Sequence, residues 1–247
     1  MSLRLPSHIS ACLLDLDGVL TETAVLHAEA WKQAFDELLA RRAAEAGGAL
    51  VPFDPVADYD EYVDGRPRED GTRTFLRARG IELPEGRGED APGTETVHGI
   101  ANRKNDLVLA LMAERGVAVY PGSLRFVHEA RRLGLATAVV SSSANTAAVL
   151  QAAGIERLFD VRVDGIVAAE EHLRGKPAPD TFLAAASRLG RAPGDCAVFE
   201  DALAGVAAGR SGGFGLVVGV DRVGAAGELA THGADVVVAD LAELIEP

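Results

Sequence analysis

The chain has 247 residues, 48% of them hydrophobic and 25% charged, with a formal net charge of −13 at pH 7. That composition is ordinary for a folded globular protein and excludes disordered, collagen-like and disulfide-scaffold classes, while the length admits one large domain or a core with a smaller insert. The acidic balance argues against binding a nucleic-acid backbone, which needs a basic patch.

The first apolar run, Ala11-Cys12-Leu13-Leu14, reads as a strand buried on both faces. Residues 24–46 then carry a long helix pattern, with Ala28, Trp31, Phe35, Leu38 and Leu39 marking its apolar stripe and Gly47-Gly48 expected to stop it. Residues 66–80 and 99–115 read as two further helices, joined by a loop over residues 83–95 rich in Gly, Pro and acids. Beyond residue 115 the pattern changes. Apolar runs at residues 136–140, 197–199, 214–220 and 235–239 alternate with helical spacing at residues 124–133, 145–153, 179–189 and 203–210. Strands alternating with helices imply a parallel sheet with right-handed crossovers. The first strand thus leads into a helical insert, and the chain then returns to complete the sheet.

Neither cysteine, Cys12 or Cys196, has the company needed for a disulfide framework or a cysteine zinc site, so both are expected as reduced core thiols. No run approaches eighteen apolar residues, so no membrane span is expected. The opening residues carry no signal-peptide core, which makes the cytoplasm the expected location.

The chemistry gathers where strands end, the place at which open α/β sheets bind ligands. The first strand runs into Asp15-Leu16-Asp17-Gly18-Val19, and a period of two puts both carboxylates on one side. Such a pair suits a cation or acid–base work; an Asp-Gly turn is the plainer alternative. A second acidic pair, Glu200-Asp201, closes the run at 197–199, where Asp201 alone would serve as a helix cap. Four carboxylates at neighbouring strand ends raise one another's pKa. A divalent cation relieves that conflict, and hard oxygen ligands favour magnesium. The run at 136–140 ends in Ser141-Ser142-Ser143-Ala144-Asn145, more hydroxyls than a helix cap needs and a fitting cradle for an anion. Lys176, between Gly175 and Pro177, is one of only three lysines with Lys32 and Lys104, a compact point charge in a chain whose usual cation is Arg. Nucleophile, anion cradle, cation and metal acids together make a kit for phosphoryl transfer. No dinucleotide fingerprint, phosphate-binding loop, zinc-protease helix or serine elbow accompanies them.

These four motifs, in this order, resemble the haloacid dehalogenase superfamily, in particular its β-phosphoglucomutase-like branch, and the resemblance covers nearly the whole chain. It implies an α/β fold: a Rossmann-like parallel-sheet core (residues 1–23 and 109–247) with an inserted helical cap (24–108). It also implies roles. Asp15 matches the nucleophile that becomes an aspartyl-phosphate, Asp17 the general acid/base, Ser141 the phosphate-binding hydroxyl and Lys176 the phosphate-neutralising lysine. Asp15, the Asp17 backbone carbonyl, Glu200 and Asp201 match the magnesium ligands. Substrate contacts are implied for Thr23, His27 and Trp31, for Gly65 and Arg68 in the cap loop, for Lys104, and for Ser142, Ser143 and Asn145, with Arg68 on the phosphate not being transferred. The implied activity interconverts β-glucose 1-phosphate and glucose 6-phosphate; a sugar-phosphate phosphatase with the same nucleophile is the alternative. The expected partner is a small phosphorylated sugar, and the expected state a monomer or weak dimer. Two departures stand out. Asp64 occupies the place of a cap lysine, and the cap is longer near residues 47–58 and 84–98.

Overall fold

The computed structural model describes residues 2–46 and 51–246, so the expected helix stop at Gly47-Gly48 lies outside the described residues. The chain divides into two compact units: Met1–Glu22 with Val117–Pro247, and Thr23–Gly116.

The first unit is a six-stranded sheet, parallel throughout. Its strands are β1 (Ala11–Leu14), β2 (Ala136–Val140), β3 (Val161–Val163), β4 (Cys196–Glu200), β5 (Leu216–Val220) and β6 (Val236–Val238), in spatial order β3-β2-β1-β4-β5-β6. β1, β4 and β5 are buried along their whole length, as continuous apolar runs in a sheet covered on both faces should be. The covering helices are α4 (Pro121–Arg132), α5 (Thr146–Ala152), α6 (Gly165–Glu170), α7 (Asp180–Arg188), α8 (Leu203–Ser211) and α9 (Ala226–His232). Leu13, Val140, Val198, Phe182 and Val206 meet in one buried cluster that welds sheet to helices.

Strand order turns back between β1 and β4, and β1 stands between β2 and β4. Leu14 of β1 lies level with Val139 of β2 and Phe199 of β4. Asp15 extends the ladder by donating its N–H to the Phe199 carbonyl at 3.0 Å. This register brings the residues after three strands to one level, at the switch point where open sheets form their crevice.

The apolar pattern does not reveal β3, α6 or α9. β3 is a three-residue edge strand, Val-Arg-Val, whose central Arg interrupts any apolar run. The two helices are only 6 and 7 residues long, too short to show a period. Lys176 therefore follows α6 rather than a strand directly.

The second unit is helical: α1 (Ala24–Ala46), a π-type turn (Tyr59–Val63), α2 (Arg68–Ala78) and α3 (Val97–Arg115). Its core is aromatic. Trp31 stacks on Phe35 with centroids 5.0 Å apart, and Phe35 meets Phe75 at 4.0 Å and Phe53 at 5.3 Å. Thr96 caps α3 by accepting the Gly99 N–H at 2.9 Å. Among the described residues no helix is long and apolar enough to cross a membrane.

Candidate active site

Asp15 and Lys176 are the centre of the first unit's site. The Lys176 ammonium donates to Asp15 Oδ1 at 2.5 Å and to the Val140 carbonyl at 3.1 Å, and pairs with Glu200 Oε1 at 2.5 Å. One ammonium thus joins groups at the ends of β1, β2 and β4. The side chain is fully buried, its ammonium 5.0 Å from the centre of the Phe182 ring. An ammonium in that position is tolerable only because the carboxylates pair with it.

The electrostatics follow from burial and neighbours. Burial pushes the Asp15 carboxyl up to about 6, against the downward pull of Lys176 and with a further push from Asp17. Burial disfavours the Lys176 ammonium, but the charges of Asp15 and Glu200 outweigh it and hold Lys176 above the ordinary lysine value. It remains a cation at any physiological pH.

The turn after β1 carries Asp17. Gly18 has φ +82°, a conformation that favours glycine, and donates its N–H to the Thr21 carbonyl at 2.8 Å. A Cβ at Gly18 would fall 1.6 Å from Asp201 Oδ2, so the two motifs approach each other where only glycine fits. Gly205, in the first turn of α8, plays the same part for Glu200: a Cβ there would lie 1.9 Å from the carboxyl carbon.

Asp15, Glu200 and Asp201 each offer an oxygen within 4.8 Å of the others. Three hard carboxylate oxygens converging in this way suit a magnesium ion by donor chemistry. The Asp17 carboxylate is not among them.

At the end of β2, Ser141 is buried and its Oγ accepts the Ser143 N–H at 3.1 Å. Ser143 Oγ in turn accepts the Asn145 N–H at 3.1 Å. Ser142, Ser143 and Asn145 share this tight loop, which is also tied to the start of α6 by the Gly165 N–H on the Ser143 carbonyl at 3.1 Å.

The remaining expected residues lie in the second unit. The Thr23 carbonyl accepts the Leu26 and His27 N–H groups at the start of α1. Lys104 Nζ lies 3.0 Å from His27 Nδ1 and 5.0 Å from the centre of the Trp31 ring, so these three converge. Burial, then the Lys104 charge, holds His27 well below the usual histidine range, which keeps it neutral and able to accept from the ammonium. Gly65, at φ +68°, makes the turn into α2, and Arg68 opens that helix with its Nε on Glu69 at 2.9 Å. The expected residues therefore fall into two groups, one in each unit.

Sequence reasoning passes over Gly205, which leaves room for Glu200, and Arg222, which holds the turn after Asp17. Arg222 follows the end of β5, the same kind of position that signals Asp15, Ser141 and Glu200.

The chain matches a family model described as haloacid dehalogenase-like hydrolase over residues 9–213. It is 55% identical to the β-phosphoglucomutase of Mycobacterium bovis, over 98% of this chain and 94% of that protein. It is 31% identical to the β-phosphoglucomutase of Bacillus subtilis, over 87% and 84%. Among solved structures it resembles the β-phosphoglucomutase of Clostridium difficile, with a TM-score of 0.72 and 26% identity over 96% of this chain and 93% of that one.

Proposed function

The chain belongs to the haloacid dehalogenase-like hydrolase family, and on that premise we propose that it is a magnesium-dependent phosphotransferase that interconverts β-glucose 1-phosphate and glucose 6-phosphate. The observation that carries this reading is Asp15 itself: a buried carboxylate held at a strand end by a fixed cation, beside two more acids. The 55% identity to a β-phosphoglucomutase supports the choice of sugar.

In the first half-reaction an Asp15 oxygen attacks phosphorus. The bond from phosphorus to the sugar oxygen breaks, and Asp17 gives that oxygen a proton. In the second half Asp17 takes a proton from the other sugar hydroxyl, whose oxygen displaces Asp15 from phosphorus. The first half acts on the 1,6-bisphosphate and leaves glucose 6-phosphate with phospho-Asp15, and the second half passes that phosphoryl group to β-glucose 1-phosphate and regenerates the bisphosphate, which links the two halves. Lys176 keeps Asp15 oriented and supplies permanent positive charge, and Ser141 donates its hydroxyl to a phosphoryl oxygen. Asp15, Glu200, Asp201 and the Asp17 backbone carbonyl would hold magnesium, which when bound neutralises charge on the phosphoryl oxygens. We assign Thr23, His27, Trp31, Gly65 and Lys104 to the sugar and its surroundings, and Arg68 with the loop of Ser142, Ser143 and Asn145 to the phosphate that is not in transit.

A sugar-phosphate phosphatase is the second reading, with water in place of the sugar hydroxyl. Asp64 favours it, because a carboxylate before Gly65 weakens the hold on a second phosphate.

Acid-quenching the protein with magnesium and glucose 1,6-bisphosphate, then mapping the modified peptide by mass spectrometry, tests the shared chemistry. Phosphate on Asp15, absent from Asp15→Asn, is the expected result. A phosphorylated residue elsewhere would overturn the reading.

A further inference from the structure

We propose that Arg222 is a positioning residue for Asp17, holding the backbone turn that aims the acid/base carboxyl; this rests on the role given to Asp17 above. Arg222 stands two residues past β5 and reaches across the carboxyl ends of the sheet. Its Nε donates to the Gly18 carbonyl at 2.9 Å. One Nη donates to the Ala239 carbonyl at 2.7 Å and to Asp240 Oδ2 at 3.4 Å. The other reaches the Val19 carbonyl at 3.5 Å and Ser123 Oγ at 3.4 Å. Five N–H donors thus face five acceptors, and the guanidinium carbon lies 3.6 Å from the centre of the Tyr120 ring.

The turn needs an outside hold. Its N–H groups are spent internally: Gly18 on Thr21, and both Leu20 and Thr21 on Leu16. The Thr21 hydroxyl also goes to Leu16. The carbonyls of Gly18 and Val19 are left facing the other way, and Gly18 is the residue with the greatest backbone freedom in the segment. Arg222 catches both carbonyls, and Ser123 Oγ donates to Val19 at 2.6 Å, so the two side chains act as one clamp. The other end of the fork is anchored on Ala239 and Asp240, away from the turn. Loosening the clamp frees the peptide that follows Asp17, while Asp15, held by β1 and Lys176, stays in place. Lys at 222 keeps the charge but not the planar fork, so it cannot bridge Gly18, Val19 and Ala239 at once.

The test separates the two carboxylates by leaving group. A sugar leaving oxygen needs the proton that Asp17 gives; acetate leaving from acetyl phosphate needs none. In both cases the phosphoryl group passes to Asp15 as its bond to the leaving oxygen breaks. The full-length wild type, Arg222→Lys and Ser123→Ala are compared for mutase turnover of β-glucose 1-phosphate and for the rate of Asp15 phosphorylation by acetyl phosphate, with magnesium saturating. General acid–base catalysis contributes about 10²–10⁴-fold, so Arg222→Lys is expected to lower mutase kcat by about 30–100-fold with KM changed by less than about threefold. Acetyl phosphate reaction is expected to stay within about threefold of the wild type. Ser123→Ala, which removes one arm of the clamp, shows the same selectivity at about 3–10-fold and carries the test if Arg222→Lys does not fold. Equal losses on both substrates, or no loss on either, would overturn the proposal. A wild type that acetyl phosphate does not phosphorylate on Asp15 would overturn the underlying reading, and the proposal with it.

Discussion

Lys176 Nζ sits 2.5 Å from Asp15 Oδ1 although 161 positions separate the two residues in the chain. The same ammonium also reaches the ends of two other strands, through Val140 and Glu200. A single buried cation therefore organises the sheet's switch point and prepares the carboxylate that we propose as nucleophile.

Replacing that cation has a large expected cost. Lys176→Met leaves Asp15 and Glu200 buried without a counter-charge, and breaking a buried pair typically costs about 3–5 kcal/mol. Urea denaturation of the metal-free protein checks this. The loss should exceed that of Lys32→Met, whose ion pair with Asp36 is part-exposed, by at least about 2 kcal/mol.

The raised Asp15 pKa sets a pH dependence. Only the ionised carboxylate attacks phosphorus, so phosphorylation of Asp15 by a bisphosphate at low magnesium should rise with pH through about 6 and then level off. Stability runs the other way. Because the folded state binds this proton more tightly than the unfolded chain, the group's contribution is present at low pH and is lost as pH rises through about 6. Denaturation of metal-free wild type and Asp15→Asn at pH 5 and pH 7.5 should show the wild type gaining on the variant at the lower pH.

Gly205→Ala sets two effects against each other. In a helix Ala is normally better than Gly by about 1 kcal/mol. Here its Cβ would lie 1.9 Å from the Glu200 carboxyl carbon, so that buried acid must move. We expect magnesium affinity, measured by calorimetry, to fall by at least about tenfold, the scale seen when the supports of a metal site are disturbed. Unchanged affinity would show that Glu200 does not hold the ion.

Arg68→Ala addresses the second unit. If Arg68 holds the phosphate that stays put, its loss should reduce mutase turnover far more than hydrolysis of a small aryl phosphate, which carries no second phosphate. Equal losses would remove Arg68 from that role.

Much of the site is legible in the sequence because buried parallel strands are continuous apolar runs, and an acid or hydroxyl that ends one must stand at the sheet's edge. Asp15, Ser141 and Glu200 all announce themselves in this way. Lys176 does not, since β3 is a three-residue edge strand with an Arg at its centre and α6 intervenes before the lysine. Its triple partnership depends on register among strands far apart in the chain. Gly205 and Arg222 are silent for a related reason. A glycine's role lies in the side chain it makes room for, and an arginine's in carbonyls it meets only after folding.

The mutase reading is tested most directly by the isomerisation itself. The protein is mixed with magnesium, β-glucose 1-phosphate and a trace of the 1,6-bisphosphate, and glucose 6-phosphate and free phosphate are followed in the same tube. Glucose 6-phosphate is expected without matching release of free phosphate, and none from Asp15→Asn. Free phosphate in step with substrate loss, with no glucose 6-phosphate, would contradict that reading.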